Sequence, residues 1–171
     1  MMKNNWYVIY TKSSCETSLH DFIVEFNEGG SQPYEAYLPT TSEIKQWSDR
    51  KKEKVIPLFK NYLFVKHDDS GFQNIKKMPG FSDYIRFGPY PTVMPEDQID
   101  MIKKALEVDK AVTCKPRSFH RGQRVVICKG PMAGYEGILI KDQENLKVAI
   151  EIKYLDQCLH VNVSLNNIVK L

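Results

Sequence analysis

Four cysteines and four histidines are the residues of this chain best suited to nucleophilic or metal chemistry, and their spacing limits what they can do. Cys158 and His160 stand two apart on a stretch that reads as a strand, so their side chains share a sheet face. A thiolate beside an imidazole is the start of a nucleophile. No Asp or Asn is evidently poised as a third member, and catalysis is not expected. Cys114, Cys128, Cys158 and His160 offer zinc donors, but without the paired C-x-x-C knuckles of structural sites, so neither a metal nor another cofactor is expected. Cysteines so widely spaced, Cys15 included, suit a reducing compartment, and disulfides are not expected. The chemistry that remains is non-covalent, carried by cations and aromatic rings.

The cations are unevenly placed. From residue 1 to 110, 15 Lys and Arg face 16 Asp and Glu, a net of −1; from 111 to 171, 9 face 5, a net of +4. The second half is therefore the one suited to nucleic acid. A local run in the first half, Lys45 with Arg50, Lys51, Lys52 and Lys54, could meet phosphates or form a solvated loop. No apolar run approaches the roughly 20 residues of a membrane span, and Met1 to Asn5 lead straight into Trp6 without a leader pattern. The expected setting is cytoplasmic, with no membrane partner.

The elements that must position these groups follow from apolar spacing. Trp6 to Tyr10 reads as a strand; Ser13 and Glu16 form a capping box, and Leu19, Phe22, Ile23 and Phe26 continue a helix that Gly29 and Gly30 stop. A weak strand at Glu35 to Leu38 precedes Thr40 to Lys54, which is almost without apolar residues and is expected to be a loop. Leu58 and Phe59, then Tyr62 to Val65, give the strongest strand signal, ended by polar residues from Lys66 to Ser70. Tyr84 to Phe87 is a further strand, and a second helix starts near Pro95 with Ile99, Ile102 and Leu106 on one face. This order predicts an α+β fold with the helices on one sheet face.

A length of 171 residues allows one large or two small domains, and 42% hydrophobic composition is enough for real cores. The expected division is 1–110, a linker at 111–118, and 119–171. In the last part, Val125 to Ile127, Ile138 to Ile140, Lys147 to Ile152 and Leu159 to Val163 predict a small β-barrel. Gly122, Gly130, Gly134 and Gly137 fall where a tightly curled barrel needs positive φ or close backbone approach.

Tyr7 to Tyr10 and Tyr62 to Val65 are apolar at consecutive positions, so both sheet faces carry apolar side chains. Two helices cover one face. The other is expected to present Tyr and Phe as a partner site, unless a loop or the second domain lies over it.

The glycine pattern from Gly122 to Gly137 resembles the KOW motif of NusG-type factors and some ribosomal proteins. Upstream, Trp6 to Lys12, Pro57 to Val65 and Tyr84 to Gly88 resemble the amino-terminal (NGN) domain of the NusG family, and nearly the whole chain is covered. The likeness is strongest to specialised paralogues of the RfaH and UpxY type, with Lys60 standing where many relatives have proline, a change expected to loosen the turn before Asn61. It implies an NGN-type α/β sandwich followed by an SH3-like KOW barrel.

The same likeness implies a monomeric, non-enzymatic factor that binds the clamp helices of RNA polymerase and promotes elongation and antitermination, in UpxY-type relatives at gene clusters for surface polysaccharides. Tyr7, Tyr10, Phe59, Tyr62 and Phe64 are the implied polymerase contacts, Phe59 and Tyr62 foremost; strand alternation sends some of the five into the core. Lys12 and His20, with Arg50, Lys51, Lys52 and Lys54, are the implied contacts to non-template DNA. The polar turn from His67 to Ser70 matches a second place where relatives meet polymerase. For the barrel, Met132, Tyr135 and Ile138 are the implied contacts to a ribosomal protein or a termination factor. A stand-alone RNA-binding or ribosome-associated KOW protein is the alternative, and it leaves the aromatic face without a role.

Overall fold

A computed structural model of the chain describes residues 4–29, 34–46, 51–108, 112–116, 122–142 and 145–171. Arg50 and residues 111, 117 and 118 of the expected linker lie outside the described residues. In chain order the elements are β1 (Asn5–Thr11), α1 (Glu16–Gly29), β2 (Glu35–Tyr37), β3 (Thr40–Gln46), β4 (Lys51–Pro57), β5 (Tyr62–His67), α2 (Gly71–Ile75), β6 (Phe81–Tyr84), β7 (Val93–Met94) and α3 (Glu96–Val108). Then follow β8 (Thr113–Pro116), β9 (Arg124–Ile127), β10 (Glu136–Asp142), β11 (Asn145–Ile152), β12 (Gln157–Asn162), a 3-10 turn at Leu165–Asn167 and β13 (Ile168–Lys170). Two compact units result, residues 1–39 with 59–96 and residues 40–58 with 97–171.

The first unit is an antiparallel sheet in the order β2-β5-β1-β6, with β7 also on β1. Tyr7 pairs with Val65 and Ile9 with Leu63, so alternation sends these four to one face. There they meet Leu19 and Ile23 of α1, Ile75 of α2, and Tyr34, Met78 and Tyr84, closing a core. Full burial of each such aliphatic side chain stabilises the fold by roughly 1.5–3 kcal/mol. The same alternation sends Trp6, Val8, Tyr10, Tyr62 and Phe64 to the opposite face.

The start of α1 departs from the expected capping box. Glu16 is buried and its carboxylate accepts the backbone N–H of Asn61, rather than reaching back to Ser13. Asn61 sits at φ 66°, a left-handed conformation that asparagine tolerates better than most residues, and its carbonyl accepts the Thr11 N–H at 2.8 Å. One residue thus ties the turn before β5 to the end of β1 and the start of α1. The strand signal also runs further than expected. β5 continues through His67, which is buried rather than part of a polar turn. A Cβ on Gly71 would lie 2.7 Å from the His67 Nδ1, so glycine at that position is a packing requirement of the histidine.

In the second unit a six-stranded antiparallel sheet runs β13-β9-β10-β11-β12-β8. Part of the expected linker is one of its edge strands, since Thr113–Pro116 pairs with β12. Gly122 and Gly137 permit close approach: a Cβ on either would lie 2.4 Å from a carbonyl oxygen, that of Leu139 and of Ala149 respectively. Gly130 and Gly134 instead take positive φ.

One expectation is corrected in this unit. The stretch from Thr40 to Lys54 is not a loop, because β3 and β4 pair from Thr40↔Pro57 to Gln46↔Lys51. Backbone pairing needs no apolar run, and Thr40, Thr41, Val55 and Ile56 supply the β-branched residues that favour it. The Thr41 hydroxyl donates to the Val112 carbonyl at 2.7 Å. From Asp97 onward α3 groups with the barrel rather than with the first unit's helices. The Lys153 N–H donates to the Gln98 Oε1 at 3.1 Å, and the Lys104 Nζ stands 5.7 Å over the Tyr135 ring.

Candidate macromolecule-binding surface

Of the five expected polymerase contacts, strand register sets one apart from the rest. Tyr7 is in the helix-covered core, stacked on His67 at 4.6 Å and edge-on to Phe72 and Tyr84. Burial raises its phenol pKa. His67 fills this aromatic box as a neutral ring. Its Nδ1 lies 2.6 Å from the Asp68 carbonyl and is the donor there, leaving Nε2 to accept the Tyr84 hydroxyl at 3.2 Å. Burial lowers the histidine pKa and raises that of Tyr84, so both groups hold the protonation states this chain of hydrogen bonds requires.

The other four share the opposite side, with unequal exposure. Phe59 and Phe64 are buried and meet edge-on at 5.6 Å, with Tyr37 beside Phe64 at 6.2 Å. Trp6 and Val8 of the same face are buried as well; the Lys66 ammonium stands 5.6 Å over the Trp6 ring and donates to Glu96 Oε1 at 2.9 Å. The open aromatic face expected from the sequence is therefore confined to one end. Tyr10 is 41% exposed and meets half-buried Tyr62 edge-on at 5.5 Å. A ring pair at a strand end, half in water, has apolar area to offer a partner without further unfolding.

The expected nucleic-acid contacts fall in both units. Lys12 is exposed in the turn after β1, its backbone N–H donating to the Gly80 carbonyl. His20, on α1, has its Nδ1 3.0 Å from Asp21 Oδ1. Lys51, Lys52 and Lys54 lie on β4 in the other unit, where Lys52 is directly opposite Lys45 and exposed Lys54 is opposite Glu43. Arg50 is outside the described residues.

In the barrel, Met132 is buried and lines a cavity of about 120 Å³ with Val108, Ile127 and Val161. Tyr135 and Ile138 are half-buried. Cys158 and His160 are buried on β12 and share a face; Cys114, opposite Leu159, takes the other face, where its thiol lies 2.6 Å from Gln157 Oε1. Burial pushes the Cys114 thiol up to about 12, which removes it as a thiolate ligand or nucleophile near neutral pH. Among the described residues no group of three or more His, Cys, Asp or Glu side chains could hold a metal ion.

A feature the sequence reading passed over is the tip after β6. Phe87 and Tyr90 are 66% and 78% exposed, on either side of Gly88-Pro89. The signal available was the dipeptide itself, read only as the end of a strand.

The fold is of the α+β class, with a pair of aromatic rings at the rim of the first unit's sheet. Comparison with known proteins identifies the family. The model for NusG, described as transcription termination factor nusG, matches residues 4–103, more than half the chain, and the chain belongs to the NusG family. It is similar to the transcription termination/antitermination protein NusG of Rickettsia bellii (strain RML369-C), 23% identical over 173 residues, covering 96% of this chain and 89% of the relative. The NusG of Campylobacter jejuni is 26% identical over 145 residues, 81% of each chain. In fold the chain resembles the solved NusG of Thermotoga maritima, with a TM-score of 0.61 at 19% identity over 99% of this chain and 98% of that one. Among the described residues no helix is long and apolar enough to cross a membrane.

Proposed function

We propose that this chain is a transcription elongation and antitermination factor that binds the clamp helices of RNA polymerase through the Tyr10–Tyr62 end of its sheet. Membership of the NusG family supports the class of activity, and the relatives' names join termination and antitermination. The observation that carries the contact is the exposed, edge-on ring pair on the face opposite the helix-covered core. Aromatics anchoring a helical partner concentrate binding energy in a few residues, so the pair is enough to nucleate an interface. Phe59, Phe64 and Tyr37 pack on one another on the same side of the sheet.

The motifs of Pro57 to Val65 and Tyr84 to Gly88 support a specialised role of the RfaH and UpxY type, with long polysaccharide gene clusters as the expected target. The barrel would then dock a ribosomal protein or a termination factor, with Tyr135 its aromatic contact. Binding to a stalled elongation complex tests the core of this reading. Wild type should bind saturably and Tyr10→Ala and Tyr62→Ala should each weaken binding by about tenfold or more, as expected of anchor residues worth over about 1.4 kcal/mol. Equal affinity of all three proteins would remove the ring pair from the interface. Salt separates the stand-alone RNA-binding alternative, whose affinity for RNA would fall steeply with ionic strength.

A further inference from the structure

Helix α1 closes the core with Leu19 and Ile23, yet it also turns two rings outward. Phe22 and Phe26 are 38% and 40% exposed and stand one helical turn apart, so they form a single apolar stripe. The stripe is fastened at its far end. Phe26 stacks on buried Tyr34 with ring centroids 5.9 Å apart, and the Asn27 side chain is bonded to the Tyr34 N–H and carbonyl at 2.8 and 2.6 Å. Rings on so fixed a helix end are preorganised for a partner.

Charge says which partner suits them. Between Lys12 and Lys45 the chain has six carboxylates and no lysine or arginine, although 24 of its 171 residues are basic. Exposed Asp21, Glu25 and Glu28 recur at helical spacing and make a second stripe beside the rings. Asp21 is met by His20, whereas Glu25 and Glu28 stand toward the end of α1, whose last turn holds no basic residue. The carbonyl end of a helix is the negative end of its dipole, so carboxylates there are unfavourable in the free protein, and a cation set against them relieves the repulsion. Phosphates would be repelled by this stripe, and so would the same face of a second copy.

We propose that the outer face of α1 docks a cationic amphipathic segment of another protein, with apolar side chains on Phe22 and Phe26 and lysines or arginines on Glu25 and Glu28. Helix α1 covers the sheet face opposite Tyr10 and Tyr62, so this contact and the proposed polymerase contact use different sides of the first unit. Either can be lost without the other.

The probe is a fluorescently labelled helical peptide of about 14 leucines and lysines in amphipathic order, titrated with the full chain; a counterpart with glutamate in place of lysine is the control. The leucine–lysine peptide should bind and the leucine–glutamate peptide should not. Phe22→Ala should weaken binding by about fivefold or more, as the loss of one anchor ring, and should melt close to the wild type. Glu25→Lys combined with Glu28→Lys should weaken binding by about tenfold or more at low salt and yet melt at or above the wild-type temperature, since lysines suit the carbonyl end of a helix. A merely solvated helix face would show the gain in stability without the loss of binding. Tyr10→Ala should bind the peptide as the wild type does. No binding by wild type, equal binding of the two peptides, or affinity indifferent to Phe22 and to the charge reversal would overturn the proposal. So would a charge-reversed protein that also loses the elongation complex, since α1 would then belong to the polymerase contact.

Discussion

One strand, β1, makes both faces of the first unit's sheet, and the two faces have opposite fates. Tyr7 and Ile9 point into a core closed by α1 and α2, whereas three residues after Tyr7 the ring of Tyr10 stands 41% exposed beside Tyr62. Chemically the two tyrosines are the same. On the closed face an aromatic box holds a neutral histidine by two hydrogen bonds, so each part fixes the next. On the open end the rings touch each other and water, and their apolar area stays available for binding. Which of these two tyrosines is buried is therefore set by the face and the strand end it falls on, not by its type or its neighbours in sequence.

The largest break in this comparison should come from the closed face. Tyr7→Ala would empty a site lined by His67, Phe72 and Tyr84 and should cost about 3–5 kcal/mol, seen as a lower denaturant midpoint at unchanged slope. Next is the residue that ties the two faces to α1. Asn61→Ala should cost about 1–2 kcal/mol because alanine is strained at φ 66°, while Asn61→Gly should recover most of that loss.

Acid should separate the faces further. His67 has a pKa lowered by burial, so the unfolded chain binds its proton more readily than the native one. The sign follows: its contribution is fully present above about pH 6.5, the unfolded value, and is lost as pH falls through that value toward the lower native one. Stability measured by denaturant titration should decline by at most about 1.4 kcal/mol per pH unit in that window, and His67→Gln should flatten the decline. The smallest stability effect belongs to the open end. Tyr10→Ala should change stability by under about 0.5 kcal/mol, although it is expected to weaken the elongation complex; a large stability loss would mean that this ring too is core.

Much of this was legible early. Strand β1, helix α1, the start of α3 and the barrel glycines follow from apolar period, Pro95 and close backbone approach, which are local properties of the chain. The hairpin β3–β4 was not legible, because its stability is in backbone pairing between residues with little apolar content. Neither was the place of α3: an amphipathic helix states that one face must be buried and not against what, and Gln98, Lys104 and Val108 meet barrel residues far along the chain. His67 looked like the polar end of a strand until Tyr7, Tyr34, Phe72 and Tyr84 surrounded it.

The sequence by itself determined the family, the α+β class and the aromatic strands from which a binding surface is drawn, because composition and period are written residue by residue. Which rings stay wet was decided only in three dimensions. Register pairs Tyr7 with Val65 and Tyr10 with Tyr62, and a shift of one residue would exchange the faces.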